Sequence, residues 1–380
     1  MKKILALILA LGMVLSLAAC GTEADPSEPQ GTEPVGEYKV AMITDFGDIT
    51  DQSFNQTTYE ACKAYCEPNG VDFTYFKPVG DSDADRIAMV DAAVMEGYNI
   101  IILPGFAFPE TIKQTADVYP DVKFIALDVG RAELGEDYVV PENVYCAIYL
   151  EELSGYMAGV AAVKLGYKHI GVLGGMAAPA VQRFAYGFLQ GVDDAALELN
   201  VAEQVKVEYV YGGQFYGDAD ITAVMDTWYG TLGVEIVFSC GGGIWSSAAE
   251  AAAKVSGKII GVDVDQAAII DPVYGEGMTV TSAMKGLGPT VENTLKDVIE
   301  HDNWANYGGK IANLGLISAE PTENYVQLPM ESTHWSDSFT QEDYKALVAA
   351  MFDGTITVSN DISAMPETQV EVQVYANIKG

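Results

Sequence analysis

The sequence contains very little histidine and cysteine, the residues on which most transition-metal sites and many nucleophilic enzymes depend. Its 380 residues include three histidines and five cysteines. Cys62 and Cys66 lie four residues apart on a predicted helix, but no second pair at metal-binding spacing follows. A structural zinc site needs four converging ligands. We therefore expect no metal site and no cofactor, and we expect the cysteines of the body to be buried free thiols.

Enzyme signatures are missing as well. The chain has no G-x-S-x-G nucleophile elbow, no Walker A sequence and no H-E-x-x-H zinc motif. The G-L-G of residues 286–288 lacks the third glycine of a dinucleotide-binding fingerprint. No motif marks out a carboxylate pair for acid–base chemistry. These absences favour a binding protein over an enzyme.

Basic residues are scarce, with 20 Lys and Arg against 54 Asp and Glu and a net charge of −34. A charge of this sign and size repels polyanions, so nucleic acid is not an expected partner. Hydrophobic residues make up 49% of the chain, which is enough for full cores and excludes a disordered protein. Apart from the first residues, no apolar run is long enough to cross a membrane.

The beginning of the chain predicts export. Two lysines precede a short apolar stretch that ends in L-A-A-C at residues 17–20. This order is typical of a secretory signal, and a Cys after two alanines fits a lipobox. We predict a signal peptide over residues 1–19, lipidation of Cys20, and a flexible tether over residues 20–37. The alternatives are an ordinary signal peptide with an incidental Cys, or an uncleaved anchor helix. The predicted location is the extracytoplasmic face of the cell membrane.

The remaining sequence alternates short apolar strands with amphipathic helices. Strands are predicted at residues 38–44, 72–77, 99–104, 122–128, 168–173, 205–211, 234–240, 258–263 and 278–283. Continuous apolar strands between helices are typical of a parallel sheet covered on both faces. The pattern restarts after a helix at residues 151–165, which has small residues on one face suited to close packing. The sequence therefore predicts an α/β protein of two doubly wound lobes.

Polar residues and glycines cluster where the predicted strands end. They occupy residues 44–47, 104–106, 128, 174–175, 239–243 and 263. In open parallel sheets, ligands bind beyond the carboxyl ends of the strands. A single Asp there is often a helix cap, and a glycine run is often a tight turn. Recurrence at six strand ends nevertheless predicts one cleft that faces both lobes.

Several segments together resemble a known family. Residues 51–56 read D-Q-S-F-N-Q, and further matching segments lie at residues 105–108, 179–191, 213–215, 240–247, 261–266 and 281–286. Over roughly residues 38–358 the chain resembles the basic membrane protein family, whose best-known members are the PnrA-type purine nucleoside receptors. The resemblance implies the type I periplasmic-binding-protein fold, with two parallel-sheet lobes joined by a three-segment hinge. It also implies the capture of nucleosides for an ABC importer.

The same likeness implies a domain division and partners. Lobe one comprises residues 38–147 plus 284–310, and lobe two comprises residues 148–283 plus 311–375. Ligand favours the closed hinge by contacting both lobes, and the membrane subunits of the importer recognise that closed form. The expected partners are a nucleoside, the ABC transporter membrane subunits and, through the lipid anchor, the membrane. The protein is expected to act as a monomer.

The hydroxyl groups of a ribose suggest two site residues. One carboxylate can accept hydrogen bonds from both cis hydroxyls, which is a stronger arrangement than two neutral acceptors. Asp263, at the end of a lobe-two strand, is the first candidate for this role. Lys285, near the hinge, is expected to donate to a ribose oxygen and to neutralise Asp263. The alternative interpretation makes Lys285 a surface charge.

A flat base needs aromatic faces and polar groups at its edge. Phe215 resembles one stacking position of the family, Phe54 or Phe46 is expected on the other face, and Trp245 is a further candidate. The candidate polar contacts are Asn55, Asp45 and Asp128. Gly241, from the glycine run, is a further candidate ligand-binding residue.

Some of these residues have structural alternatives. The alternative for Asn55 is a helix cap, and the alternative for Phe54 is a core position. After Asp45 the sequence F-G-D replaces the glycine pair common in the family, which affects the wall of the base pocket. Two other functions remain open: binding of a sugar or another small polar solute, and a surface interaction lipoprotein.

Overall fold

The structure is a computed structural model that describes residues 38–379. The predicted signal peptide, the lipidation of Cys20 and the tether lie outside the described residues. None of the helices between residues 38 and 379 is long and apolar enough to cross a membrane.

Strands and helices alternate through most of this region. The strands are β1 Lys39–Ile43, β2 Asp72–Phe76, β3 Ile100–Pro104, β4 Lys123–Leu127, β5 Val144–Tyr149, β6 His169–Gly174, β7 Lys206–Tyr211, β8 Ile236–Cys240, β9 Lys258–Asp263, β10 Thr279–Lys285, β11 Lys310–Leu314, β12 Val326–Gln327 and β13 Glu371–Val374. The helices are α1 Phe54–Cys66, α2 Asp83–Met95, α3 Pro109–Thr115, α4 Arg131–Leu134, α5 Glu151–Lys164, α6 Pro179–Glu198, α7 Ala219–Thr227, α8 Trp245–Ala253, α9 Ala267–Tyr274, α10 Leu287–His301 and α11 Gln341–Phe352.

The strands form two sheets, one in each lobe. The first has the order β11-β5-β4-β3-β1-β2 and the second the order β12-β10-β9-β8-β6-β7-β13. All pairs are parallel except β10 with β12. The central strands are buried on both faces, as β3 illustrates with five buried residues in I-I-I-L-P. Helices on both faces account for this burial, and the predicted two-lobed α/β architecture is confirmed.

The chain passes between the sheets three times, from β5 to α5, from β10 to α10 and from β11 to β12. Strand β11 differs from the sequence prediction, which assigned residues 311–375 to lobe two. It pairs with β5 in the first sheet, and Ile311, Ala312 and Leu314 pack against the cores of lobe one. The sequence also gave no prediction for strand β5, which is almost entirely buried.

Helices α5 and α6 of lobe two approach each other unusually closely. A Cβ atom on Gly155 or Gly159 of α5 would lie 2.1 or 2.2 Å from a carbonyl oxygen of α6. Gly187 and Gly191 of α6 meet α5 in the same way, at 2.1 Å each. Because side chains are excluded from this contact, the backbones of the two helices touch directly, close to the crossing from β5 to α5. The predicted close packing of the small residues on α5 is confirmed.

Candidate functional site

A cavity of about 320 Å³ lies between the lobes, at the carboxyl ends of strands from both sheets. The predicted site residues that line it are Asp45, Phe46, Phe54, Asn55, Asp128, Phe215, Gly241, Asp263 and Lys285. Side chains that the sequence analysis did not select also line it, among them Asp48, Asp51, Phe106, Phe184 and Tyr216. Most residues selected for their position at strand ends therefore line the cavity, because parallel strands bring their carboxyl ends to one edge of each sheet.

Lys285 is the centre of a buried charge cluster at the hinge end of the cavity. Its side chain is 2% exposed, and its ammonium lies 2.6 Å from Asp128, 3.4 Å from Glu151 and 3.6 Å from Asp263. Burial alone lowers the pKa of Lys285, but the three carboxylates outweigh that effect and hold the pKa above its usual value. Lys285 is therefore a charged, buried donor and not a surface charge.

Asp128 and Asp263, two members of this cluster, have unusual backbone conformations. They have φ angles of 57° and 65°, in the left-handed region that side chains with a Cβ rarely adopt. Asp263 accepts a 2.6 Å hydrogen bond from the Ser53 hydroxyl, and Oδ1 of Asp128 is buried without a hydrogen-bond partner. The sequence analysis assigned Asp128 to the base edge, but the structure places it at the hinge end, bonded to Lys285.

The carboxyl group of Asp263 is buried between the lobes. Burial raises its pKa, although the Lys285 ammonium and the Ser53 hydroxyl oppose that rise. It does not cap the following helix, because the amide of Ala267 at the start of α9 bonds to Asp265 instead. The hydrogen bond from Ser53 joins lobe one to lobe two across the cleft, so the described lobes already touch beside Asp263.

Glu151 and Arg183 extend the cluster behind Lys285. Nε of Arg183 donates to Oε2 of Glu151 at 2.6 Å, and Glu151 is fully buried. Burial raises the pKa of Glu151, opposed by Arg183 and Lys285. Sequence reasoning missed both residues. Glu151 follows strand β5, which was not predicted, and its position after a strand end was the signal that would have found it.

Asp45 and Asn55 form a second polar group, in lobe one. The side-chain amide of Asn55 donates to Asp45 at 3.2 Å and to Asp51 at 3.0 Å, which leaves its buried Oδ1 without a partner. A Cβ on Gly47 would lie 2.7 Å from Nδ2 of Asn55, so glycine is needed for this approach. Asp51, not Asn55, accepts from the amides at the start of α1, including that of Gln56 at 3.0 Å. Asn55 therefore lines the cavity and has a buried acceptor without a partner.

Aromatic side chains from both lobes line the cavity. The rings of Phe215 and Phe106 are 5.8 Å apart and tilted by 54°. The Phe215 ring packs directly against Gly175 and Gly241. A Cβ atom on Gly175 would lie 2.5 Å from the ring, and one on Gly241 would lie 3.2 Å from it. Gly241 thus leaves room for the Phe215 ring because it has no side chain.

The two phenylalanines of lobe one differ in burial. Phe54 packs against the lobe-one core and also faces the cavity, with the Lys285 ammonium 4.7 Å from its ring centre. Phe46 is 40% exposed at the mouth.

Trp245 is the predicted site residue that the structure does not bring to the cavity. It is 6% exposed, packs in a lobe-two core cluster and meets the edge of Tyr274 at 6.3 Å between ring centres. Helix α8 begins at Trp245, directly after the glycine run and Ile244. Its place after the glycines suggested a cavity position, but the first turn of α8 directs this side chain into the core.

Comparisons with known proteins agree with this architecture. A family model described as ABC transporter substrate-binding protein PnrA-like matches residues 38–350. The ABC transporter nucleoside-binding protein BmpA of Lactococcus lactis subsp. cremoris is 28% identical over 375 residues, 94% of this chain and 99% of that protein. A lipoprotein of Pyrococcus horikoshii is 30% identical over 225 residues, 58% of this chain and 53% of that protein.

A solved structure supports the fold alone. It is an ABC transporter solute-binding protein from Aeropyrum pernix K1, with a TM-score of 0.64 at 23% identity over 86% of this chain and 88% of that chain. The fold is the periplasmic-binding-protein fold. The resemblance read from the motifs is confirmed, and the matched family consists of proteins that bind a ligand and transporter membrane subunits, not of enzymes. The chain belongs to the PnrA-like family of ABC transporter substrate-binding proteins.

Proposed function

We propose that this protein captures a purine nucleoside in the cavity between its lobes and delivers it to the membrane subunits of an ABC importer. The observation that carries the proposal is the composition of the cavity, which combines the buried carboxylate of Asp263 and the ammonium of Lys285 with the aromatic side chains of Phe54, Phe106 and Phe215. A nucleoside combines a polar sugar with a flat base in the same way. The naming of the Lactococcus lactis relative as nucleoside-binding supports the proposal.

The ribose belongs at the hinge end. Asp263 accepts hydrogen bonds from the two cis hydroxyls, and the hydroxyl groups take the place of Ser53 on that carboxylate. Lys285 donates to a ribose oxygen while its charge keeps Asp263 ionised. Because Asp263 lies in the second sheet and Ser53 in the first lobe, ligand contacts at this end reach both lobes and favour closure.

The base belongs between the aromatic side chains. Phe215 and Phe106 stand on one side, and Phe54 or Phe46 covers the other face. At the edge, the amide nitrogen of Asn55 is already bonded to carboxylates, so Oδ1 of Asn55 and the carboxylate of Asp45 are left to accept. Two acceptors favour a base edge with a ring N–H and an amino group, as in guanosine.

The charges of the cavity favour a nucleoside over a nucleotide. Lys285 is the one cationic side chain among the described residues that line the cavity, and it already has three carboxylate neighbours. Asp45, Asp48 and Asp51 line the same space. A phosphate group would lie among uncompensated carboxylates and lacks the arginine fork that commonly binds it.

The protein is proposed to work as a monomer on the outer face of the membrane, held by lipid on Cys20. The lipobox at residues 17–20 supports this location, as does the description of the Pyrococcus horikoshii relative as a lipoprotein. Replacing Cys20 with Ala is expected to release the protein from cells into the medium, measured by immunoblotting of the two fractions. Full retention of the variant in the membrane fraction with its signal peptide removed contradicts the lipid anchor.

Calorimetric titration tests the ligand. Guanosine and inosine are expected to bind more tightly than adenosine and cytidine, since they present a ring N–H to the acceptors of the base edge. Free ribose is expected to bind weakly, because it lacks the base that stacks. Native mass spectrometry of gently purified protein adds the mass of any retained ligand. Tight binding of ribose without binding of any nucleoside contradicts the proposal and favours a sugar-binding protein.

A further inference from the structure

The last described residues run along the edge of the lobe-two sheet. Strand β13 pairs in parallel with β7, and the hydrogen bonding continues beyond the strand. The amides of Tyr375 and Ile378 donate to the carbonyl oxygens of Tyr209 and Tyr211, at 2.9 Å each. Residues 371–379 are called the C-terminal strap below. The strap follows β7 to its carboxyl end, where the loop that carries Phe215 begins.

The end of the strap packs directly on that loop, residues 212–218. Gly213 has a φ of 84°, and a Cβ there would lie 2.5 Å from the carbonyl oxygen of Lys379. The Lys379 ammonium forms ion pairs with Asp218 and, at 3.2 Å, with Asp220. Backbone packing and charge therefore hold the strap to the outer side of the loop.

Asp218 connects the strap to the stacking residue. Its Oδ1 accepts from the amide of Ile221 at 3.1 Å and so caps helix α7. Its Oδ2 accepts from the side chain of Gln214 at 3.0 Å, and Gln214 directly precedes Phe215. Lys379, Asp218 and Gln214 thus form a continuous set of contacts that leads to Phe215 from outside the cavity.

The cavity side of the loop is held by the glycine run. The amide of Gly243 donates to the carbonyl oxygen of Phe215 at 2.8 Å, and the Phe215 ring rests on Gly175 and Gly241. Phe215 is only partly buried, against the edge of the lobe-two core. Its orientation therefore depends on the loop backbone, which lies between the glycine run and the strap.

We propose that the C-terminal strap is a positioning element for ligand binding, which holds residues 212–218 so that Phe215 presents its ring to the cavity. The inference rests on the proposed function, because it takes Phe215 to stack on a base. A loop already ordered before binding loses less conformational entropy when the ligand arrives, and this preorganisation raises affinity. Lys379 does not line the cavity and acts through the loop.

Hydrogen exchange of the protein without ligand tests the effect on the loop. Lys379→Gln removes the ion pairs with Asp218 and Asp220, and we expect the amides of residues 212–218 to exchange about two- to five-fold faster. A chain shortened to end at Ala376 also loses Ile378, and we expect exchange about ten-fold faster or more. Lys345→Gln, an exposed ion-pairing residue of α11 in the same lobe, is the matched control and leaves the loop unchanged. Unchanged exchange in both strap variants overturns the inference.

A double-mutant cycle with guanosine as the probe tests whether the strap acts through Phe215. The shortened chain is expected to bind about five-fold more weakly than the full chain, while shortening in the Phe215→Ala background has no further effect. Equal losses in the two backgrounds overturn the positioning role. If Lys379→Gln folds and the shortened chain does not, the same cycle is run with Lys379→Gln. Failure of the full chain to bind any nucleoside contradicts the proposed function instead, and the exchange result still decides whether the strap orders the loop.

Discussion

The two ends of the cavity are built in different ways. At the hinge end, the side chains of Lys285, Asp263 and Glu151 are 2%, 8% and 0% exposed, and Lys285 lies within reach of both carboxylates. At the mouth, Phe46 and Tyr216 are 40% and 58% exposed and stand on loops. The first region is a buried ionic cluster, and the second is a set of aromatic side chains at the surface.

The difference predicts how each region responds to substitution. Buried charges avoid a large desolvation cost only while their partners are present, so the loss of one member affects the others. Aromatic side chains at a mouth contribute by contact area and stacking, and each acts largely by itself. Changes at the hinge end are therefore expected to affect folding together with binding, whereas changes at the mouth affect binding alone.

The largest expected effect follows from Lys285→Met. The substitution leaves Asp128, Glu151 and Asp263 in one buried cluster, in which Arg183 is the remaining cation among residues 38–379. We expect a loss of about 3–5 kcal/mol in the free energy of unfolding and no detectable nucleoside binding. Urea denaturation measures the first and calorimetry the second. The matched control is Lys296→Gln, an exposed lysine of α10, and an equal effect of both substitutions contradicts the ionic-cluster interpretation.

The second prediction concerns pH and Glu152, which follows Glu151 on α5. Burial raises its pKa to about 7 from an ordinary value of 4.5, and one of its carboxyl oxygens has no hydrogen-bond partner. Between these two pH values the unfolded chain binds fewer protons at Glu152 than the folded protein does. The free energy of unfolding therefore falls as pH rises through this window.

Glu152→Gln removes this titrating group, so the fall in the free energy of unfolding that Glu152 causes between pH 4.5 and pH 7 disappears. The variant is expected to match the parent in stability below pH 4.5 and to exceed it above pH 7, by on the order of 3 kcal/mol. Urea denaturation at a series of pH values gives the difference. Glu292→Gln, at an exposed position of α10, serves as the control. A stability difference between Glu152→Gln and the parent that does not change with pH contradicts the prediction.

The smallest effects are expected at the aromatic side chains. Phe215→Ala removes a stacking surface, and we expect nucleoside affinity to fall by about 1–3 kcal/mol with little change in the free energy of unfolding. Phe46→Ala is the comparison within the same region, and its exposure predicts a loss below about 1 kcal/mol. Calorimetry ranks the two variants. A greater loss for Phe46→Ala than for Phe215→Ala reverses the assignment of the stacking faces.

Much of the fold was predictable because strand and helix periodicity is a local property. Strand β3 is a fully buried apolar run, and α5 has glycines and alanines on one face, so both were read directly from the sequence. Strand β5, V-Y-C-A-I-Y, was missed although it is almost entirely buried. Strand β11 was assigned to the wrong lobe. Its sequence carries no information about which sheet edge it joins, since that depends on the third crossing of the chain.

The candidate site was predictable where a residue follows a strand, and less so elsewhere. Asp263 is the last residue of strand β9 and Asp45 lies two residues after strand β1, and the parallel architecture places both at the cavity. Arg183 lies inside helix α6, where nothing local distinguishes a buried ion-pairing residue from an exposed one. Trp245 follows the glycine run as a cavity residue would, but the direction of its side chain depends on the first turn of α8.

By itself the sequence determined the alternation of strands and helices, the scarcity of positive charge and the polar residues at the strand ends. Neighbouring residues are enough to produce each of these patterns. The tertiary structure alone decided that residues 128, 151, 263 and 285 share one buried cluster, that Arg183 supports it, and that the strap reaches the loop of Phe215. These contacts join different strands, helices and loops, and they exist only after the chain has folded into its two sheets.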